Sequence, residues 1–528
     1  MSVQATTSER GDTYQRLEER ILARDQKGAS DAYYDLVREG RPLPEMILEA
    51  VRIHGPYTHV PYHERIDHGF VNFVNNDHCL LSARATWNLA RMVPEAYAAL
   101  PMAQTIWYIP TGLDIWQQKI LKAPGHYARG YAPPPGPTPA PTVYWPDQEP
   151  EYLEGPIEER LNHWMTLVHR GLVLDAYRVF LGLFEDEANR ERVLAELVFA
   201  GLIDVQDRML LNRSYTTGHK SYRARSTVEL GRAVGWERAH PVLYAGALDI
   251  AVGPRWYSTY EVGCNAVTTH IDGERVQAIP YSGTSEKERA LWANATPLTE
   301  REAGRLVDAI IREPEPGYIE LLAELLKAGK SLKHLIDAIQ IGAAQVVLET
   351  HDPNNFSMPH HCFEYCNNLR WFYDNFEHPQ RVKLIFLAAS FLNRVAHHQA
   401  NTEGRGTDAV AVPAAADKLT GDQLLERLEA AQLALDPGAS SGWTQAYLES
   451  GADIGPLVAR LALAASKIGN DPHNQEIAQN FLESYGTSTS PLKHRLLLAC
   501  AHHTAAHRKY GNPLDCYNRF AEAFGLPH

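Results

Sequence analysis

Apolar residues recur at every third or fourth position through most of this chain. Four stretches show the pattern best: "IEERLNHWMTLVHRGLVLDAYRVFLGLF" from Ile157, "RERVLAELVFAGLIDVQDRML" from Arg190, "YIELLAELLKAGKSLKHLIDAIQIGAAQVVLE" from Tyr318 and "PQRVKLIFLAASFLNRVA" from Pro379. That spacing predicts amphipathic helices. Residues 31–130 carry the same period, interrupted by "GPYTHVPYHERIDHGF", whose prolines and glycines predict irregular chain. "YAPPPGPTPAPTVYWP", 131–146, cannot be helix or sheet interior and reads as a connector of polyproline type. Short extended pieces are expected between 256 and 282, and a loop over 401–422. The fold class is mainly α, a pseudo-repeated helical bundle or solenoid-like domain. Its expected parts are an N-terminal arm, mobile or an exposed helix (1–30), a first helical region (31–130), the proline-rich connector (131–150), central helical repeats (151–400), the loop (401–422) and a C-terminal helical region (423–528).

One helix is written more than once. Aligned on His78 and His219, two segments share Ala at the fifth following position, Arg at the sixth (Arg84, Arg225), Thr at the eighth, Leu at the eleventh, Arg at the thirteenth and Val at the fifteenth. Aligned on His361 and His473, another two share Glu at the third (Glu364, Glu476), Asn at the seventh, Tyr at the twelfth and Pro at the eighteenth. Cys79 and Cys362 tie the pairs together. The histidines stand 141, 142 and 112 residues apart, too far for a short tandem repeat. Four copies of a helix-turn-helix element are the simplest reading.

Composition narrows the class of function. The 50 basic and 64 acidic residues give a net charge of −14, which argues against nucleic acid or an anionic membrane as partner. The polar N-terminus lacks the apolar segment of a signal peptide, and no run of 18 apolar residues occurs, so a cytoplasmic location is expected. Six cysteines (79, 264, 362, 366, 500 and 516) lie scattered in helical surroundings, unlike a disulfide scaffold. Twenty-four histidines are the anomaly, and many lie in apolar stretches, where an imidazole needs a partner.

If the four repeated histidines converge, they form a cage of nitrogen donors for iron, zinc, manganese or copper. His361 and Glu364, like His473 and Glu476, are three apart and share a helix face. His169 in "LVHRGLVLDAY" and His351 in "ETHDPNNF" are further candidate ligands. Glu237 and His240 have the Glu-x-x-His order of bundle iron sites. His54, His59, His63 and His68 in the proline-broken loop are candidates for a substrate mouth, and His503 with His507 forms an i, i+4 pair suited to zinc. Glu364, Tyr365 and Tyr222 are the candidates for the chemical step, with Trp87 and Trp371 as pocket walls. No P-loop, nucleophile elbow, Cys-x-x-Cys pair, flavin or nicotinamide fingerprint occurs.

"FVNNDHCLLSARATWNLAR", "LVHRGLVL", "TGHKSYRARSTVELGRAVGWERAHPVL" and "PNNFSMPHHCFEYCNNLRW" together resemble the helical questin-oxidase-like proteins and the related helical region attached to Rieske-type domains, over about residues 70–510. The resemblance implies a non-haem iron oxygenase acting on anthraquinone-type polyketides, with iron held by several histidines and a carboxylated lysine. The matching histidines are His78, His219 and His361, with His169 and His473 beside them; Lys383 and Lys220 are the lysines available. The expectation is an iron-dependent oxygenase that takes dioxygen and a small aromatic substrate, with electrons from the substrate or an external donor. A zinc hydrolase using the same ligands, and a non-catalytic repeat scaffold for a protein partner, are the rivals.

Overall fold

The computed structural model describes residues 12–58, 66–67, 70–71, 78–114, 148–205, 218–251, 258–273, 284–350, 357–402, 404, 406, 410–469, 472–506 and 512–527. The chain is mainly α-helical; a two-residue antiparallel pair, Ile66–Asp67 with Phe70–Val71, is the only strand pairing among those residues apart from an isolated bridge.

Four three-helix units surround a common axis. Each has an outer helix, an inner helix carrying one of the four histidines in its first turn, and a return helix. The first unit is Leu43–Thr58, Cys79–Leu89 and Leu100–Asp114, with His78 as N-cap of the inner helix. The second is Arg190–Ile203, His219–Val234 and His240–Ile250. Leu332–Leu348, Met358–Asn375 and Arg381–Thr402 form the third, and Ile454–Lys467, His473–Thr487 and His494–Ala505 the fourth. The His78 helix touches the His219 and His473 helices, and the His361 helix touches the same two.

The units close into a ring. The outer helix of the first lies on the return helix of the second, and that of the second on the inner and return helices of the third. The outer helix of the third lies on the return helix of the fourth, and that of the fourth on the return helix of the first. A solenoid would leave two open ends; here the last contact brings the chain back to its start.

The inner helices run in the same direction and in register. Residues equally far from their histidines lie level. Arg225 donates to Asn367 at 2.6 Å, both six positions on, and Asn88 donates to Glu229 at 3.4 Å, both ten positions on. Helices so central are buried on nearly every side, including Lys220, Arg223 and Arg225 of the His219 helix. Close approach is achieved with glycine: a Cβ on Gly201 would lie 2.6 Å from the backbone of Ser221.

Two expectations are corrected. The N-terminal segment is not a free arm from Asp12 onward: Tyr14, Leu17 and Ile21 form an apolar stripe that is buried, and helices Asp12–Leu22 and Gln26–Arg38 dock on the first unit. Helix Asp515–Phe524 meets helix Gln26–Arg38 there, with Arg519 donating to Asp31 and Tyr34 packing on Phe520 and Phe524. Residues 258–272 are not extended: a helix, Ser258–Ala266, runs into a π-helical turn, Val267–Asp272. The proline-rich stretch 131–146 lies outside the described residues.

Candidate metal centre

Parallel helices of matched register carry their first turns to one level, so their histidines meet there. The ring centroids of His78 and His219 are 5.1 Å apart, His219 and His361 5.0 Å, His361 and His473 5.2 Å, and His473 and His78 4.3 Å. Two imidazoles bound to one ion through bonds of about 2.1 Å have centroids roughly 4.6 Å apart at a right angle and about 5.3 Å apart at the tetrahedral angle. All four neighbouring separations lie near that range. Donor atoms of His78, His219 and His473 lie within 4.8 Å of one another, the one such histidine, cysteine or carboxylate group among the described residues. His361 stands beside His219 and His473 but outside that group of three, and all four rings are buried, at most 5% exposed.

Neighbouring groups fix which nitrogen faces inward. His78 Nδ1 lies 2.7 Å from a Glu476 carboxylate oxygen, and His361 Nδ1 lies 3.0 Å from the Ser357 carbonyl. An oxygen of either kind only accepts from a neutral imidazole, so the proton sits on Nδ1 and the lone pair on Nε2. A carboxylate or carbonyl behind the ring is the arrangement that orients metal-binding histidines. Burial, followed by the nearness of His361, His78, Arg223 and His473, holds the pKa of His219 well below its ordinary value. It stays neutral, as a ligand must.

The backbone at the site explains one sequence choice. Gly218, before His219, has φ +104°, and a Cβ there would collide with the Tyr222 hydroxyl. That hydroxyl donates to the His361 carbonyl at 2.6 Å, tying the second inner helix to the third.

Below the histidines the axis is a stack of opposite charges. Glu364 and Glu476, three positions on, come first. Asn480 donates to Glu364 at 3.2 Å and accepts from Arg84 at 2.5 Å. Arg225 donates to Glu229 at 2.8 Å and to Glu483 at 2.5 Å, and Arg84 lies 3.6 Å from Glu229. Burial, reinforced by the Glu476 charge, pushes Glu364 up to about 8 against the pull of Arg84, Asn480 and Arg225. Against the cost of burial, Arg225 and Arg84 hold Glu483 below the usual carboxylate range. Four carboxylates face two guanidiniums, and Arg223, buried on the same helix as Arg225, offsets at most one more charge. With Glu364 protonated, the three remaining carboxylates and the three guanidiniums balance.

The remaining candidates fall elsewhere. Lys383 is held by Glu288 at 2.9 and 3.2 Å and by Gln380 at 2.5 Å, and does not join the histidines. Lys220 is paired with Asp204 at 2.5 Å. His169 ends helix Ile157–His169, half-buried and outside the close group. Tyr365 faces the outer layer, donating to the Leu202 carbonyl at 3.0 Å. Arg225 lies over Trp371 and Arg91 over Trp87, which places both rings below the histidine level. Glu237 lies in a short 3-10 turn and His240 opens the return helix of the second unit. His54 is buried within helix Leu43–Thr58, not in a loop. His351, His59, His63, His68 and His507 lie outside the described residues. Arg84, Arg225 and Asn480 stand at repeat identities, Glu483 was missed, and the part of all four in the charge stack appears only once the helices are set level.

No family model matches this chain, and neither a curated protein nor a solved structure does. No described helix is long and apolar enough to cross a membrane.

Proposed function

We propose that the protein is a non-haem iron oxygenase that oxidises a small organic, aromatic or polyketide-like substrate with dioxygen. One observation carries this reading: four buried imidazoles, one from each of four parallel helices, ring one level of the axis, and donor atoms of three of them, His78, His219 and His473, lie within 4.8 Å of one another. The donors fit a borderline transition metal, being neutral nitrogens with a carboxylate behind one of them. Coordination number favours iron over zinc. Catalytic zinc keeps three protein ligands and one open position, so four imidazoles would saturate it. A six-coordinate ion retains two positions.

When bound, iron supplies activation of dioxygen beside the substrate. The chain's own residues do the rest. His78, His219, His361 and His473 hold the ion, Glu476 orients His78, and Ser357 orients His361. Glu364, pushed up to about 8 in the metal-free protein, lies below the ligands as the candidate proton donor. Tyr222 holds the His361 helix at its first turn. Burial excludes bulk water, which protects reactive species from side reactions. The sequence resemblance to questin-oxidase-like proteins points to the same chemistry.

The test is oxygen uptake by iron-loaded protein with phenolic and anthraquinone substrates. Uptake that depends on substrate, needs iron and disappears in His219→Ala is the expected result. Turnover supported by zinc without oxygen consumption would replace the oxygenase with a hydrolase.

A further inference from the structure

A second pair of histidines stands beside the first four, and nothing in the proposed oxygenase uses it. His360 precedes His361 on the third inner helix, and His503 lies on the return helix of the fourth unit. Both are buried, at 1% and 0% exposed, and their ring centroids are 5.1 Å apart. That separation again suits two imidazoles sharing one ion at a near-tetrahedral angle, by the same bond lengths of about 2.1 Å.

Hydrogen bonding to carbonyls sets the donor nitrogen of His503. His503 Nε2 lies 3.1 Å from the His473 carbonyl and 3.3 Å from the Asn474 carbonyl. It can only donate there while the ring is neutral, so the lone pair of His503 is on Nδ1. His360 Nδ1 is 2.7 Å from the Ser357 hydroxyl, and its buried Nε2 has no partner among the described residues. A buried polar atom of this kind calls for a ligand. Backbone or hydroxyl oxygen behind each ring is the support that metal-binding histidines have.

We propose that His360 and His503 hold a second metal ion next to the four-histidine centre. The donors are neutral nitrogens, and Phe481, 6.1 Å from His503, lines one side. That set suits zinc or copper rather than calcium or magnesium, which need oxygen ligands. The two centres share their supports: Ser357 bonds both His360 and His361, and His503 bonds the backbone of His473. Filling one therefore stiffens ligands of the other.

The proposal stands independently of the oxygenase reading. Full-length metal-free protein is loaded with zinc alone, freed of excess, and its zinc counted by elemental analysis. Wild type and three variants are compared: His360→Ala, His503→Ala and the double His219→Ala, His361→Ala. Two ions per chain in wild type, falling to one in either His360→Ala or His503→Ala, is the expected result. One ion in wild type that survives both single variants overturns the second site and leaves the first. One ion lost in the single variants but kept in the double supports the second site and removes the first. No bound zinc in wild type overturns both. Circular dichroism shows whether each variant folds, and where an alanine variant does not, the corresponding His360→Gln or His503→Gln is counted in its place.

Discussion

Glu364 and Glu476 occupy the same repeat position and do different work. Glu476 accepts from His78, whereas Glu364 is bonded through one oxygen to Asn480, buried to 2% exposure and pushed up to about 8. A carboxyl raised in the folded state binds its proton more tightly than the unfolded chain does. Its contribution to stability is therefore complete below the unfolded value of about 4.3 and declines as pH rises through about 8. Metal-free Glu364→Gln should lose that part of the pH dependence, so its melting temperature should fall less than wild type between pH 5 and 8. Equal slopes would show that Glu364 is ionised throughout. Removing the carboxylate behind His78 acts on the ion instead. Glu476→Ala should weaken metal binding about 10- to 100-fold, the usual effect of losing a group that orients a ligand, measured by competition with a chelating dye. Unchanged affinity would mean that His78 is not a ligand.

At the level of helices, those packed outside the four units were legible by a single apolar face, as helix Gly317–Lys327 shows, while outer helices such as Arg190–Ile203 are buried almost throughout and read as helix from their apolar spacing. The inner helices were legible by another route. The His219 helix is enclosed by neighbours, so its buried side includes Lys220, Arg223, Arg225 and Thr227, and no apolar stripe marks it. Its identity came from repetition: the histidine and the arginine six positions on recur in the His78 helix. Repetition could not show that the helices run parallel and level, which depends on contacts between residues hundreds of positions apart, such as His78 with Glu476. Lys383 illustrates the limit. The family resemblance suggested it as a ligand, but its direction on the helix takes it to Glu288. The close packing is testable at two glycines. Gly201→Ala forces a Cβ against Ser221, and Gly218→Ala meets both the Tyr222 hydroxyl and a positive φ. Each should cost about 1–3 kcal/mol in denaturant unfolding. A neutral result at Gly218 would mean that the start of the His219 helix is not as described.

Four units closed into a ring give the whole molecule its chemistry, because closure sets four equivalent first turns around one axis. An open array would spread the same histidines along a curved surface, as a partner-binding scaffold does. The ring also explains why the polar groups lie inside. Helix starts, histidines, glutamates and arginines form successive levels about the axis, while apolar residues fill the space between inner and outer helices. X-ray absorption at the iron edge of the loaded protein tests this directly. About four imidazole nitrogens around the ion is the predicted result, with the count reduced by one in His361→Ala. A spectrum dominated by oxygen ligands, or one that His361→Ala leaves unchanged, would contradict the convergence of all four helices on one metal.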